Sequence, residues 1–536
     1  MAVSDKGNVT PVPDEGIPPR EALIELASKG MLYSFWAERF AGRTALLSAR
    51  GNRSYAELNG NANRLLAHLR AQGLDHGDAV AIICQNIPQF IETYLACQRG
   101  GLRLTPINWH LTPAEAGFIL EDCDAKAWIV QDELTDRAAD ADRSGVCTAL
   151  TTGPAKPGFQ SYQRAIEEQD PANPAEPRLG KMMLYTSGTT GKPKGVVRHT
   201  PIILGPQREG SLQDYRDDDL NLLCGPAYHA GPLTFDIAFP LASGVPILMM
   251  ERFDPVHALS LIAKFRVTHT HMVSTMFKRL LALPAAERDQ YDVSSLRVVN
   301  HGAAPTSIPI KRAMIDWFGD VLYEYYGATE ASPGIIISSA EWLEKPGSVG
   351  RVPETTPLVI LDKGGRICLP NQTGLVAFPR HPGATPSYHK AASETNDGIF
   401  GGKYYTVGDI GHIDEDGYLF LTGRSAETII SGGVNIYPQE VDNALIDHPA
   451  IREVCTVGVP DEEWGESVKT LVSLNPGFVA GTELANELMS WARDRIARYK
   501  VPRSIDFVEE IPFSEAGKVL RERVRARFWS QDDRTI

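Results

Sequence analysis

The stretch Tyr185-Thr-Ser-Gly-Thr-Thr-Gly-Lys-Pro-Lys-Gly195 gathers the groups that bind phosphate. Its eleven residues hold three glycines, four hydroxyls (Thr186, Ser187, Thr189, Thr190) and two lysines (Lys192, Lys194). Gly188, Gly191 and Gly195 let a backbone turn sharply and approach a ligand closely. Successive N–H groups then form an anion nest, and hydroxyl and ammonium groups add donors. This chemistry suits a polyphosphate. A run of this composition also reads as an ordinary solvated loop. It is not a Walker loop: only two residues separate Gly188 from Gly191, and Pro193 follows Lys192.

Five further segments carry reactive side chains: Pro226-Ala-Tyr-His229, Asn300-His-Gly-Ala-Ala-Pro305, Tyr325-Tyr-Gly-Ala-Thr-Glu330, Tyr405-Thr-Val-Gly-Asp409 through Gly423-Arg424, and Ser514-Glu-Ala-Gly-Lys518. Taken singly, Glu330 reads as a surface acid, Asp409 as a turn residue, Lys518 as a loop lysine and His229 as a satisfied polar group.

The elements that must position them follow from hydrophobic periodicity. Ser54 to Leu74 carries apolar residues at helical spacing, and Ala79–Cys84 is a continuous apolar run of the kind buried on both faces of a parallel sheet. Helices are expected near 87–99 and 113–121, with strands near 102–107 and 127–130. Met182–Tyr185 reads as the end of a buried strand leading into the phosphate loop. Residues 132–180, broken by five prolines, read as a surface excursion leading into the phosphate loop or as part of a subdomain boundary. Beyond the loop, strands near 268–273, 296–300 and 321–325 alternate with helices near 276–284 and 308–318. The turns Gly302–Pro305 and Tyr326–Glu330 then fall at strand carboxyl ends, where open α/β sheets bind ligands. After about 355, Gly-punctuated strand signals appear in GRICL, GLVAF and GYLFL. A smaller unit follows Tyr437-Pro438, with helices near 439–446 and from 483 and strands near 453–458 and 468–473. Leu484, Leu488, Trp491 and Ile496 line one face of its last helix.

A chain of 536 residues has room for two or more domains. Its net charge of −14 argues against a nucleic-acid surface. Seven cysteines without a Cys-x-x-Cys pair imply reduced thiols and a cytoplasmic setting. Residues 1–20 have no signal-peptide pattern and read as frayed. The most apolar window, Ile237–Met250, is interrupted by Pro240 and Pro246 and reads as core, so no transmembrane segment is expected. His269 and His271 share a strand face but lack a nearby cluster of acids or thiols for a metal site.

The phosphate loop and the five further segments, in this order, resemble the signatures of the adenylate-forming superfamily, in its acyl- and aryl-CoA synthetase branch. The likeness spans residues from about 50 to 528. It implies an α/β fold: a large N-terminal domain (1–426) of layered α/β subdomains plus a small β-barrel-like subdomain, and a small mobile α+β C-terminal domain (427–536). It implies ATP, Mg²⁺ and coenzyme A as cofactor or co-substrates. Thr186, Ser187, Gly188, Thr189, Thr190, Gly191 and Lys194 would hold the β- and γ-phosphates, and Gly302, Ala303 and Ala304 would lie along adenine, with Tyr325 or Tyr326 stacking on it and Gly327 beside them. Thr329 would bond the α-phosphate, Glu330 would ligate Mg²⁺, and Asp409 with Arg424 would hold the ribose. Lys518 would bridge the α-phosphate and the incoming carboxylate as an electrostatic stabiliser. Glu427 maps to the hinge, and Ser431, Gly432 and Gly433 to a pantetheine tunnel. Thr186 and His229 complete the catalytic set, with His229 near the thiol's path. Two positions depart from the pattern: Val407 stands where Ser or Thr is usual, and Ala426 replaces a basic residue beside the hinge.

The resemblance places the acid pocket at His229, Gly231, Thr234, Phe235, Asn300, Gly302 and Gly334. Small and apolar residues there suit a sizeable hydrophobic acid: fatty, steroid side-chain or aromatic. Amino-acid-activating relatives hold the substrate ammonium with an aspartate, whose position falls near Gly231, not at Asp236. The expected activity is an acid:CoA ligase. Transfer to a carrier protein or an amine is the alternative, and a nucleotide sensor on a ligase scaffold is the non-enzyme one. Partners are the acid, ATP and CoA, with no nucleic acid and a homodimer left open.

Overall fold

The computed structural model describes residues 17–138, 141, 145–187, 193–199, 201–304, 306–331, 334–355, 357–381, 385–391, 398–431, 434–461, 464–514 and 517–529. Gly188, Thr189, Thr190, Gly191, Gly432 and Gly433 therefore lie outside the described residues. The chain divides into two units. The first comprises Met1–Met272, Arg279–His301 and His381–Asp397; the second comprises Val273–Lys278, Gly302–Arg380 and Gly398–Ile536.

The first unit is α/β. One sheet runs in the order Ser387–Tyr388, Pro193–Val197, Lys181–Ser187, Arg103–Pro106, Ala79–Ile83, Ala125–Val130, Thr148–Thr151, Gln160–Ser161. It is parallel except at Pro193–Val197 and Ser387–Tyr388, which pair antiparallel. Ala79–Ile83 is buried at every position, as its apolar run requires. The helix Tyr55–Ala71 begins at a capping box, in which Ser54 and Glu57 satisfy each other's backbone N–H. Thr112 and Glu115 do the same for Pro113–Asp122. The stretch 132–180, expected as a surface excursion, contributes the strands Thr148–Thr151 and Gln160–Ser161 and the helix Tyr162–Glu167. These strands are too short for an alternation pattern to show.

In the unit's second sheet the order is Val298–Gly302, His269–Met272, Asn221–Leu223, Ile247–Met249, Thr44–Leu47, Arg53–Ser54. Its neighbours pair in parallel, apart from Arg53–Ser54. The apolar window Ile237–Met250 is core, as expected: Ile237, Leu241, Ile247 and Met249 are buried. It opens with the π-helical turn Leu233–Ala238, which no sequence periodicity announces.

The second unit begins with the antiparallel pair Leu322–Tyr326 and Ile335–Ser338. An antiparallel sheet follows, ordered Ser348–Arg351, Tyr418–Arg424, Tyr404–Ile413, Gly374–Pro379, Val359–Leu361. The GRICL segment forms no strand; only Ile367 makes an isolated bridge, to Leu361. Tyr326, Ile335, Ile360, Val376, Phe378 and Leu419 form this part's core, and Val407 packs against it. Core packing thus explains an apolar residue where a hydroxyl is usual.

The α+β portion beyond it carries Ile429–Ser431, Val434–Ile436, Ile451–Asp461, Gly465–Leu474 and Ser504–Phe507 with the helices Pro438–Leu445, Thr482–Arg493 and Arg521–Arg525. Leu488 is buried in its core, with Leu484, Trp491 and Ile496 packed on it. The helix, however, ends at Arg493, so Ile496 reaches that core from the segment after it.

Candidate active site

In the second unit, Tyr326 ends a strand whose buried residues alternate, Leu322, Glu324, Tyr326. Its hydroxyl donates to Asp409 Oδ2 at 2.7 Å, and Arg424 Nε donates to Asp409 Oδ1 at 2.9 Å. Asp409 and Arg424 face each other across adjacent antiparallel strands. Both carboxylate oxygens are therefore fixed by groups arriving from two directions. Burial, reinforced by the Asp409 carboxylate, holds the Tyr326 phenol well above its usual range, and Asp409 foremost raises the Arg424 guanidinium.

Gly302 closes on Tyr325: a Cβ there would lie 2.5 Å from the Tyr325 carbonyl oxygen and 2.8 Å from its ring. Ala303 follows with φ +64°, a left-handed conformation for a residue with a side chain, and Ala304 is half-buried. Residues 328–331 form a tight reciprocal turn, with Ala328 N to Ala331 O at 2.6 Å and Ala331 N to Ala328 O at 3.1 Å. That turn presents Thr329 and Glu330, both half-buried as is Gly327. Gly334 has φ +71°.

Lys518 sits on a short hairpin in which Ser514 N donates to Lys518 O at 2.7 Å and Lys518 N donates to Ser514 Oγ at 3.1 Å. Gly517, at φ +74°, turns the chain where a Cβ would collide with Thr275. The Lys518 residue keeps solvent-exposed surface, yet crowding around its ammonium lowers its pKa, and Arg424 adds repulsion. The Asp409, Glu330 and Glu427 carboxylates act in the opposite sense. This unit thus brings Lys518 into the field of Asp409, Glu330, Arg424 and Glu427. Glu427, on the turn Ser425–Glu427, accepts from Arg521 Nε at 2.9 Å. Ser431 pairs with Val434 and with Gly465. Among the described residues no cluster of three or more His, Cys, Asp or Glu is arranged for a metal.

In the first unit, Lys181–Ser187 and Pro193–Val197 form a hairpin in which Thr186 faces Lys194 and Ser187 faces Pro193. Gly195 lies beneath Tyr185, whose ring a Cβ would approach to 3.0 Å. His229 caps a short turn, Ala230–Pro232, that runs into the π-turn. Gly231 is buried and Thr234 half-buried. The Phe235 ring stacks on His271 at 5.7 Å and meets Phe239 edge-on at 5.5 Å. Burial, then His229, lowers His271 to about 3, and burial lowers His269 to about 4. Both imidazoles are neutral at physiological pH.

Asn300 is engaged in a reciprocal amide pair with Gln213: Asn300 Nδ2 donates to Gln213 Oε1 at 2.9 Å, and Gln213 Nε2 donates to Asn300 Oδ1 at 3.2 Å. Asp236 is fully buried. Its Oδ1 accepts from Asn221 Nδ2 at 3.0 Å and from the His271 N–H at 2.9 Å, while burial raises its pKa well above the carboxylate range. Through these two bonds it braces the π-turn against its neighbouring strands.

Sequence reading missed Gln213, Arg521 and Tyr388, each of which holds a candidate site residue. No motif marks them, and each acts on a partner remote in sequence.

Two family profiles match the chain: AMP-binding enzyme over residues 34–389 and AMP-binding enzyme C-terminal domain over 440–518. The chain belongs to the AMP-binding enzyme family. The indoleacetate–CoA ligase of Aromatoleum aromaticum is 33% identical over 512 residues, covering 92% of this chain and 98% of that protein. The feruloyl-CoA synthase of an Amycolatopsis species is 32% identical over 477 residues, covering 89% and 94%. The crystal structure of ATP-bound MatB from Rhodopseudomonas palustris superposes with a TM-score of 0.80 at 26% identity, covering 93% and 99%. This AMP-binding enzyme is thus a member of the acyl- and aryl-CoA synthetase branch of the adenylate-forming superfamily, with the acid-activating chemistry of that group.

Proposed function

We propose that this AMP-binding enzyme is an acid:CoA ligase acting on a hydrophobic carboxylic acid. The observation that carries the reading is the convergence, in one unit, of the Lys518 ammonium with Asp409, Arg424 and Glu330. A carboxylate attacking the α-phosphorus of ATP brings two anions together, and a fixed ammonium at that place lowers the barrier. The carboxylate oxygen forms a bond to the α-phosphorus while pyrophosphate leaves. In the second step the thiol sulfur of CoA attacks the acyl carbon, the thiol gives up its proton, and AMP leaves. Asp409 and Arg424 hold the ribose, Thr329 the α-phosphate, and Thr186, Ser187 and Lys194 the outer phosphates. Lys518 holds the acid and α-phosphate together, and His229 stands beside the thiol's path.

The donor set fits Mg²⁺. A single carboxylate, Glu330, matches a cation that takes one or two protein carboxylates and completes its shell with substrate phosphates and water. When bound, it neutralises charge on the phosphates.

Domain boundaries at 1–426 and 427–536 put the hinge at Glu427. In the first unit, the residues assigned to the acid are His229, Gly231, Thr234, Phe235 and Asn300. An aromatic acid is favoured by the Phe235–His271 stack and by the indoleacetate and feruloyl activities named for the two relatives. Among the described residues no helix is long and apolar enough to cross a membrane. The seven cysteines without a Cys-x-x-Cys pair support a cytoplasmic location.

The test is pyrophosphate release from MgATP across fatty, aryl, steroidal and amino acids, each with and without CoA. Acid-dependent release with a thioester in the mass spectrum is expected. Acid-dependent release without thioester would move the acceptor to a carrier protein or an amine.

A further inference from the structure

The hairpin that carries Lys194 is held from its outer edge by a segment nearly two hundred residues away in sequence. Ser387 pairs with Val197 and Tyr388 with Val196, and His389 N donates to Gly195 O at 2.7 Å. Ser387 Oγ meets His199 Nε2 at 3.1 Å across a sequence separation of 188. Beyond the pairing, Lys390 Nζ reaches the Asp122 carbonyl at 2.8 Å and Asp124 Oδ1 at 2.7 Å, and His389 Nε2 lies 3.2 Å from Asp124 Oδ2. From the inner strand, the Tyr185 hydroxyl donates to Asp122 Oδ2 at 2.6 Å. Both sides of the hairpin are therefore anchored to one turn, Asp122–Asp124.

Within this frame the Tyr388 side chain has its own task. Tyr388 is paired with Val196, so Lys194, two residues along, is its diagonal neighbour on the same sheet face. The Lys194 ammonium lies 5.5 Å from the Tyr388 ring centroid, within cation–π range. Both residues are half-buried. A lysine stem has four rotatable bonds, and an ammonium resting on a ring loses less freedom when it engages an anion.

We propose that Tyr388 is a positioning residue that holds the Lys194 ammonium in place for the outer phosphates of ATP. The inference rests on the assignment of Lys194 to those phosphates. It assigns the 387–390 segment two separable functions. Its backbone and the Lys390 and His389 side chains fix the hairpin, and the Tyr388 ring orients the cation on it.

The test measures equilibrium binding of MgATP and of AMP to the full chain by calorimetry. A ring-free Tyr388→Leu variant is expected to weaken ATP about three- to fivefold and leave AMP unchanged, since AMP lacks the outer phosphates. Tyr388→Ile, which keeps strand preference, should behave alike, and Tyr388→Phe, which keeps the ring, should restore ATP affinity. On a Lys194→Ala background, Tyr388→Leu should cost nothing further. Equal losses for ATP and AMP, a full additive loss on the Lys194→Ala background, or unchanged ATP affinity in both ring-free variants would each overturn the proposal. The assignment of Lys194 stands apart. If Lys194→Ala itself leaves ATP affinity unchanged relative to AMP, that assignment falls.

Discussion

Arg521 offers the sharpest quantitative test of how the C-terminal portion is held together. It is 6% exposed, and it donates from Nη1 to Asp442 Oδ2 at 2.7 Å and to the Thr456 carbonyl at 2.9 Å. Its Nε reaches Glu427 at 2.9 Å and its Nη2 reaches Gln439 Oε1 at 3.2 Å. Asp442, at 4% exposure, also accepts from the Thr456 N–H through Oδ1 at 2.8 Å. Replacing Arg521 with Met leaves that carboxylate buried and unpaired, at a cost of about 3–5 kcal/mol. The Glu427 contact adds about 1 kcal/mol or less, because that side chain is a third exposed. A loss of about 4 kcal/mol is expected at pH 8.

The pH dependence has a definite sign. Burial already raises the Asp442 pKa above its ordinary value, with Arg521 restraining the rise. An acid whose folded pKa exceeds its unfolded one gains a proton on folding between the two values, so stability falls as pH rises through that window. Without Arg521 the upper edge moves up. The penalty of Arg521→Met should therefore shrink on acidification from pH 8 towards pH 5, by about 1.4 kcal/mol for each unit of the window crossed. Adding Asp442→Asn should recover about 2 kcal/mol at pH 8 and abolish this extra pH dependence. Hydrogen exchange in the strands Ile451–Asp461 and Gly465–Leu474, resolved by mass spectrometry, reads the local free energy without assuming that the whole chain unfolds together. A loss under 1 kcal/mol, or one that grows on acidification, would refute the reasoning.

Lys518→Ala should lower acid-dependent pyrophosphate exchange about 10²- to 10³-fold while leaving transfer from a supplied acyl-adenylate to CoA within a few-fold. Tyr326→Phe removes the 2.7 Å bond to a carboxylate and should raise the KM for ATP roughly tenfold, with a smaller change in kcat, in the same exchange assay. Gly517→Ala forces a side chain into φ +74° against Thr275, a strain of about 1–2 kcal/mol. It should lower adenylation by about tenfold, and Thr275→Gly should relieve only the contact part.

What the sequence could and could not convey follows from the range of the forces involved. Ala79–Ile83 was legible because a strand covered on both faces must be apolar throughout, and Tyr55–Ala71 because its helical spacing is written within one segment. Thr148–Thr151 and Gln160–Ser161 were not, since two to four residues carry no usable period and their pairing partner, Ala125–Val130, lies elsewhere. The π-turn at Leu233–Ala238 depends on Asp236 reaching Asn221 and the His271 N–H, two partners supplied by other strands. The candidate site divides along the same line. Residues proposed to touch the nucleotide fall in compact motifs, because one turn must present several of them together. Gln213, Tyr388 and Arg521 do not, because each needs only to reach one side chain or one turn, and many positions in a sequence could supply such a contact. Asn300, legible as a candidate pocket residue, illustrates the consequence. One N–H and the oxygen of its amide engage Gln213, which fixes the orientation of the group from a position remote in sequence. In this fold the motifs name the chemistry, and remote polar partners set the geometry in which it operates.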